Sequence, residues 1–508
     1  MVRAASKWSI LAILSFALAL ISLDNTIVNV ALPSLQEDLK ATSTQLQWVV
    51  DAYSVLFAGT LLLAGGLGDR FGRKRILVIG LVIFGLGSLA AGASSSVDLL
   101  IASRGVMGIG GAFIMPSTLS ILVQTFTAPA ERAQAIGVWA AVAGVGVAIG
   151  PIVGGALLEH FSWHSVFLVN PPLVLVVLGL TLVVVPESRD ASKPKLDLAG
   201  AGLSSLGLIA LVTFIVELPD SGINAVTVAA GFIAAALLSL FVWWEKQAPR
   251  PLLPMELFAK RVFAVAVVLV GLVYFALMGA LFFLPQFLQL VQGMTPLQSG
   301  VSMLPGAGGL LIASLVSPRL AERWGARNVV VVGVLIVTAG LSAMAFVQPM
   351  TTYPYVGLAL GITGLGMGLV LPQATNAVLS QVPRERSGMG SAVNDAVSEL
   401  GGSFGVAILG GILAFFYRAR IDEAVSSAGQ IATELPDSVL DTVRESLASA
   451  MVLIGQLPEG LGDLARVVVS QAFVSGMGWA LTAGAAVTFL GALLAWRYFP
   501  RRMEKVEE

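Results

Sequence analysis

The chain has 508 residues, 56% of them hydrophobic and only 12% charged, with a net charge of −1 and a mean hydropathy of +0.89. Soluble domains run near a quarter charged, so the composition excludes a soluble globule, and the balanced charge argues against a nucleic-acid partner. With no cysteine and two histidines, neither a disulfide nor a metal cluster is expected.

Apolar runs of about twenty residues, at ~1.5 Å each, are long enough to cross a ~30 Å hydrocarbon core. They lack the period-two alternation of a β-barrel. Fourteen spans are predicted, at 8–33, 46–66, 76–93, 97–125, 133–158, 163–185, 197–217, 225–244, 262–290, 297–317, 328–347, 354–381, 387–417 and 475–497. Lys7 precedes the first run, which ends in LDNTIVNVALP without a small-residue cleavage site, so it reads as a retained helix and not a signal peptide. With the N-terminus in the cytoplasm, 23 of the 29 basic residues fall on the inner side. Lys40, Arg418, Arg420, Arg444 and Arg466 fall outside, and Arg104 lies within a span. This bias predicts a multi-pass protein of the plasma (inner) membrane with both termini cytoplasmic.

In chain order, the first span carries Asp24, Asn25 and Asn29. Counted from Trp8, Asp24 lies about 24 Å along its helix, in the outer half of the membrane. It is expected to serve as an outward-side proton entry point or a contact for a cation, on a helix face that looks into a cavity. Span two holds Asp51 within WVVDAYS, either a coupling carboxyl or a helix-end residue. It is followed by GGLGDRFGRKR, with Gly68, Asp69, Arg70, Gly72, Arg73, Lys74 and Arg75. Asp69 can accept hydrogen bonds at a neighbouring helix end while the cations sit at the interface, a pairing able to latch two halves in one state. Simple positive-inside anchoring is the alternative.

Span four contains Arg104, which must be paired or face a wet cavity unless it snorkels to headgroups. Span five places Gly146, Gly150, Pro151, Gly154 and Gly155 at spacings that allow close backbone approach and a bend. Generic tight packing explains these glycines equally well. At the outer end of span seven, Glu217 and Asp220 read as surface charge.

A pocket for lipophilic cations needs aromatic and thioether surface beside an acid. Span nine offers Tyr274, Phe275, Met278, Phe282, Phe283, Gln286 and Gln289; Met115, Trp139, Gln373 and Asn376 add to these, with Asp24, Asn29 and Glu399 as polar contacts. Any one of the aromatic residues can equally face lipid. In span thirteen, Asp395 and Glu399 are four apart and project from one helix face about 6 Å from each other, which discourages simultaneous ionisation and suits a shared proton. Asp395 can also be read as simply solvated near the cytoplasmic end. The outer segment 418–474 places Val439, Leu440, Val443, Leu447 and Met451 at helical spacing, either an amphipathic helix on or capping the outer face or a variable surface loop.

The charged loop repeats. Glu322, Arg323, Trp324, Gly325 and Arg327 follow span ten at an offset of 253 from the first copy. Gly108, Gly110 and Pro116 recur as Gly364, Gly366 and Pro372, and Glu131 and Arg132 as Glu385 and Arg386. Both charged loops lie on one side, so the repeat is parallel. The predicted division is a six-helix bundle at 1–190, two inserted helices at 191–250, and a second six-helix bundle at 251–508 that carries the 418–474 segment.

LDNTIVNVALP, GGLGDRFGRKR, the Arg104 stretch IASRGVMGIGGA and the span-five glycine-proline element, standing in this order, resemble the major facilitator superfamily (MFS), and within it the fourteen-helix drug:proton antiporter branch of EmrB/QacA type. The resemblance implies an all-α membrane protein with the MFS fold and 14 transmembrane helices. It implies a proton-transfer role for Arg104, and proton coupling or cation recognition for Asp24, Asp395 and Glu399.

No GxxxxGK[ST] stretch is present to hold nucleotide phosphates, so protons are the expected coupling ion and no cofactor is expected. No nucleophile, base and metal cluster stands out, which argues against an enzyme. The expected function is proton-coupled efflux of lipophilic, cationic drugs or toxic compounds by alternating access, from a monomer in the bilayer. Alternatives are a dedicated exporter of one natural product or lipid, and a non-transporting sensor or scaffold.

Overall fold

The computed structural model describes residues 6–188, 197–222, 224–248, 251, 253, 255–382, 387–427, 437–445, 447–455 and 459–501. The described elements are all helical. The first half contains α1 (Lys7–Leu39), α2 (Ser43–Phe71), α3 (Arg73–Gly92), α4 (Val97–Thr125), α5 (Pro129–His160), α6 (Ser165–Leu168) and α7 (Asn170–Val184). Then come α8 (Leu198–Ser221), α9 (Ala225–Gln247) and α10 (Glu256–Ala259). The second half contains α11 (Arg261–Gln286, continued by one π turn, Phe287–Val291), α12 (Pro296–Val301), α13 (Leu304–Trp324), α14 (Ala326–Ala345), α15 (Tyr353–Ser380) and α16 (Ser387–Ser427). The short α17 (Asp437–Glu445) and α18 (Leu447–Ile454) precede the last long helix, α19 (Glu459–Tyr498).

Turn chemistry sets the starts. Thr42 and Gln45 close a capping box on α2, as Thr295 and Gln298 do on α12, and Ser96 caps α4. Each arrangement gives an otherwise unpaired first-turn N–H a side-chain acceptor.

The expected count of 14 transmembrane helices is corrected. Among the described residues, 12 helices are long and apolar enough to cross a membrane. The expected spans 46–66 and 133–158 fall on α2 and α5, which are not among the twelve; the count is over the described residues, and both helices carry side chains outside them. The α2 helix turns Gln47, Asp51 and Ser54 into the protein, and the glycine-rich face of α5 lies against α1.

Lys7 at the start of α1 pairs with Glu131 in the first turn of α5, and Ala326 at the start of α14 donates to the carbonyl of Arg501 past the end of α19. Lys7 and Arg501, near the two ends of the described chain, therefore sit at the same membrane face as the two charged loops, the terminal face; the opposite one is the far face.

The sequence repeat has a structural counterpart. A Cβ on Gly108 would strike the backbone of Tyr53 on α2, and one on Gly110 would come within 2.5 Å of Phe84 on α3. In the second half Gly364 abuts Gly306 on α13, and Gly366 lies 2.6 Å by the same measure from Gly333 on α14. Equivalent glycines thus seat α4 and α15 between their two neighbours. The Glu385 and Arg386 copy lies outside the described residues.

The outer segment departs from a long loop. Helix α16 continues to Ser427 and the last helix already begins at Glu459, leaving α17 and α18 between them. Leu447, Ala448, Ala450 and Ile454 are buried, and α18 packs against α1 and α19. Tyr417 Oη donates to the carbonyl of Val443, and Arg444 Nε lies 2.7 Å from Asp422 Oδ1, tying this cap to α16.

Candidate functional site between the two halves

Asp24 and Arg104 meet in the core of the first half. Arg104 Nη1 donates to Asp24 Oδ2 at 2.7 Å, Arg104 Nε donates to the carbonyl of Val49, and the guanidinium lies 4.5 Å from the centre of the Tyr53 ring. The other Asp24 oxygen accepts from Asn170 Nδ2 at 2.7 Å, and the same amide reaches Ser88 Oγ. Neither Asp24 nor Arg104 is exposed to solvent. Five helices, α1, α2, α3, α4 and α7, contribute to one buried polar network, in which Arg104 Nη2 and Asn170 Oδ1 remain without a hydrogen-bond partner, and Asn170, Ser88 and Tyr53 were not singled out from sequence. Asn29 is also buried, with its amide turned to the carbonyl of Asn25 on its own helix.

The span-five element lies at a joint between α1 and the second half. Gly146, Gly150 and Gly154 face α1 at Ala19, Thr26 and Ile27, the stretch that carries Asp24. A Cβ on Gly155 would meet Pro296 O and Leu297 Cα at 2.6 Å, and Gly300 abuts the carbonyl of Pro151. These last contacts cross from α5 to α12, joining the halves toward the far face. Gln289 Nε2 adds a hydrogen bond to the carbonyl of Val30, and Gly410 on α16 sits against Gln47 on α2.

Helices α2 and α16 run antiparallel along this joint and bring buried polar groups together. Beyond Gln47 and Gly410, Asp51 faces Ser403, and one turn nearer the terminal face Ser54 faces Glu399. Asp51 is fully buried, and neither of its carboxyl oxygens has a hydrogen-bond partner; Ser403 Oγ lacks one too. Glu399 is half-buried, and Asp395, four residues earlier, accepts from Asn394 Nδ2, whose own Oδ1 accepts from Thr375 on α15. Tyr274, facing Ser398, and Met278, whose Cγ would lie 2.9 Å from a Cβ on Gly402, line α11 where it meets α16. Phe282 approaches Gly410 in the same row, and Gln286 turns its amide back to the Phe282 carbonyl.

Other expected pocket residues lie elsewhere. Gln373 Nε2 donates to Ser317 Oγ between α15 and α13, and Asn376 is exposed. Trp139 donates to Thr118 Oγ1 within the first half, one turn from Met115, whose carbonyl accepts from that same threonine. A groove of about 360 Å³ between α14 and α19, lined by Phe346, Gln348, Gln471 and Trp479, opens at the far face away from the acids.

At the terminal face each charged loop is held by its own half. Arg73 N–H donates to the Ser188 carbonyl at 2.8 Å, Lys74 N–H to Glu187 Oε1, and Lys74 Nζ to the Leu182 carbonyl. Arg75 lies 3.8 Å from Glu187. Gly72 has a φ of 117°, and a Cβ there would be 2.7 Å from the Glu187 carboxylate. The second copy repeats the arrangement, with Gly325 at φ 85°, Ala326 N–H bonded to Arg501 O and Arg327 Nε to Phe499 O. Gly68 lies near Arg73, while Arg70, Glu322 and Arg323 are exposed. The Asp69 side chain lies outside the described residues.

Comparison with known proteins agrees with this architecture. The chain is 34% identical over 484 residues to the multidrug efflux pump LfrA of Mycolicibacterium smegmatis, covering 92% of this chain and 96% of that protein. It is 32% identical over 509 residues to the tetracenomycin C resistance and export protein of Streptomyces glaucescens, covering 98% and 93%. The fold matches the crystal structure of a bacterial homolog to the human lysosomal transporter Spinster, inward-facing and unoccupied, with a TM-score of 0.67, 19% identity, and coverage of 97% and 98%. The family model of the Major Facilitator Superfamily matches residues 14–406, and the chain belongs to that superfamily.

Proposed function

We propose that this transporter expels lipophilic, cationic compounds in exchange for protons, by alternating access between its two halves. One observation carries the reading: Glu399 on α16 stands at the seam with α2, beside Tyr274 and Met278 of α11. A carboxyl at the edge of an apolar, aromatic surface attracts a lipophilic cation when ionised and loses that attraction when it takes a proton. Proton and substrate then compete for one group, which is the minimum requirement of an antiporter. Placement in the EmrB/QacA-type drug:proton antiporter branch is part of this proposal, in respect of its antiport chemistry.

The Lys/Arg bias assigns the terminal face to the cytoplasm and the far face to the outside of the plasma membrane. Contacts from α5 to α12 and from α2 to α16 join the halves toward the far face, as a cytoplasm-facing state requires. Substrate enters from the cytoplasm or inner leaflet, and a proton taken up on the outer side displaces it. The charged loops, each docked in this state on its own half, engage the opposite half when the terminal face closes. In everted vesicles with an acidified interior, adding a lipophilic cation releases protons from the interior, read as dequenching of a pH-sensitive dye. A second reading, a dedicated exporter of one natural product, is favoured by the likeness to the tetracenomycin C resistance and export protein of Streptomyces glaucescens and would show response to one compound class alone.

A further inference from the structure

Asp51 is the one fully buried carboxyl whose two oxygens both lack a hydrogen-bond partner among the described residues. Its burial lies on the α2–α16 seam, so the group belongs to the contact between the halves and not to the core of either. An ionised carboxylate there would cost several kcal/mol for want of a partner, whereas the neutral acid can donate to Ser403 Oγ across the seam.

Neighbouring charges offer no relief. On α4, Arg104 is taken by Asp24 of α1, and Asp98 is exposed at the helix start. Glu217 of α8 sits at Trp48 Nε1. On α16, Glu399 faces Ser54 and Asp395 accepts from Asn394. The α3 cations Arg73, Lys74 and Arg75 are at the terminal face.

We propose that Asp51 is the coupling carboxyl that decides which face is open: carrying a proton it holds α2 against α16 and keeps the far face shut, and on losing the proton it releases the seam. When the far face is open, Asp51 is wetted from that side and takes up the external proton. Once the seam closes and Glu399 has given its own proton to the cytoplasm, the Asp51 proton leaves inward by way of the Ser403 and Ser54 hydroxyls to Glu399, one turn nearer the terminal face. Each hydroxyl oxygen accepts a proton as it gives up its own, so only a proton moves. Ser54 and Ser403 are thereby positioning residues for the proton. This account rests on the proton-antiport reading and adds a second carboxyl, with a job distinct from substrate competition at Glu399.

The test uses the full chain in nanodiscs. Because it contains no cysteine, Lys40→Cys and Met350→Cys, one exposed at the far face of each half, carry spin labels at those two sites alone. With Asp51 present, raising the pH shifts the label-to-label distance toward a longer population. Asp51→Asn, a neutral isostere that keeps the seam partner, remains in the short population at every pH and lowers proton-driven efflux by at least ~10-fold. Ser403→Ala, which removes the seam partner of the neutral acid, weakens the short population at low pH and slows efflux, and Ser403→Thr restores both. A pH-dependent distance that survives in Asp51→Asn, in protein whose parent performs proton-driven efflux, overturns the proposal. Failure of the parent to exchange protons for any cation overturns the antiport reading instead.

Discussion

Arg104 Nη1 and Asp24 Oδ2 are 2.7 Å apart with neither side chain exposed, and the second Asp24 oxygen is held by Asn170. Removing one member of such a pair leaves a buried charge uncompensated, at a cost of about 3–5 kcal/mol. Asp24→Asn and Arg104→Met should each lower the thermal unfolding midpoint in detergent, and the double variant should lose less than the sum of the two. Strict additivity would mean that the pair does not act as a unit.

The α1–α5 contact predicts a graded glycine series. A methyl group at Gly150 would press on Thr26 Oγ1 and the Leu23 carbonyl, an overpacking that costs about 1–3 kcal/mol. Gly150→Ala should reduce stability and efflux, while Gly179→Ala, which meets nothing within 4 Å, should change neither. Thr26→Ala introduced beside Gly150→Ala should recover part of the loss. Equal behaviour of the two single glycine variants would contradict the packing account.

At the terminal face, Gly72 combines a left-handed φ of 117° with the Glu187 carboxylate filling the space a side chain would need. Gly72→Ala is expected to cost about 1–3 kcal/mol through backbone strain alone. Glu187→Gln should cost under ~1 kcal/mol, since its pairing with Arg75 is exposed. Hydrogen exchange at the start of α3 reads both effects, with faster exchange expected in Gly72→Ala.

Much of this was legible from residue patterns. The offset near 253 between the two charged loops marks a repeat, and Gly72 and Gly325 take left-handed conformations beside matching backbone bonds to Ser188 and Arg501. The polar partners were not. Asn170 meets Asp24 across 146 residues, and nothing local in NPPLVLVV points to it. Ser54 and Ser403 did carry a signal, three residues after Asp51 and four after Glu399, but an isolated serine in an apolar helix usually bonds its own backbone, as Ser204 does with Ala201. Gln373 illustrates the converse, a polar residue in a long helix that turns toward a neighbour within its own half. The fourteen expected spans and the twelve candidates among the described residues rest on the same grounds, length and apolar composition, and differ at α2 and α5.

The outer cap offers a pH prediction. The Asp422 hydrogen bond, with Asp441 adding to it, raises the Arg444 guanidinium above its ordinary value. A cation whose folded value is raised contributes stability that is complete below its unfolded value and lost only as pH climbs through the folded one, here far into alkali. The stability difference between the parent and Arg444→Ala should therefore stay flat from about pH 6 to 9. Limited proteolysis of 437–454 checks it, and a difference that vanished within that window would show that another group controls the cap.

Proton coupling through Glu399 is the central claim, and proton release from everted vesicles on addition of a lipophilic cation tests it most directly. The parent chain is expected to dequench the dye in proportion to the cation added, and Glu399→Gln to give no response while still binding substrate more weakly and without pH dependence. A Glu399→Gln variant that exchanged protons for substrate at the parental rate would contradict the account.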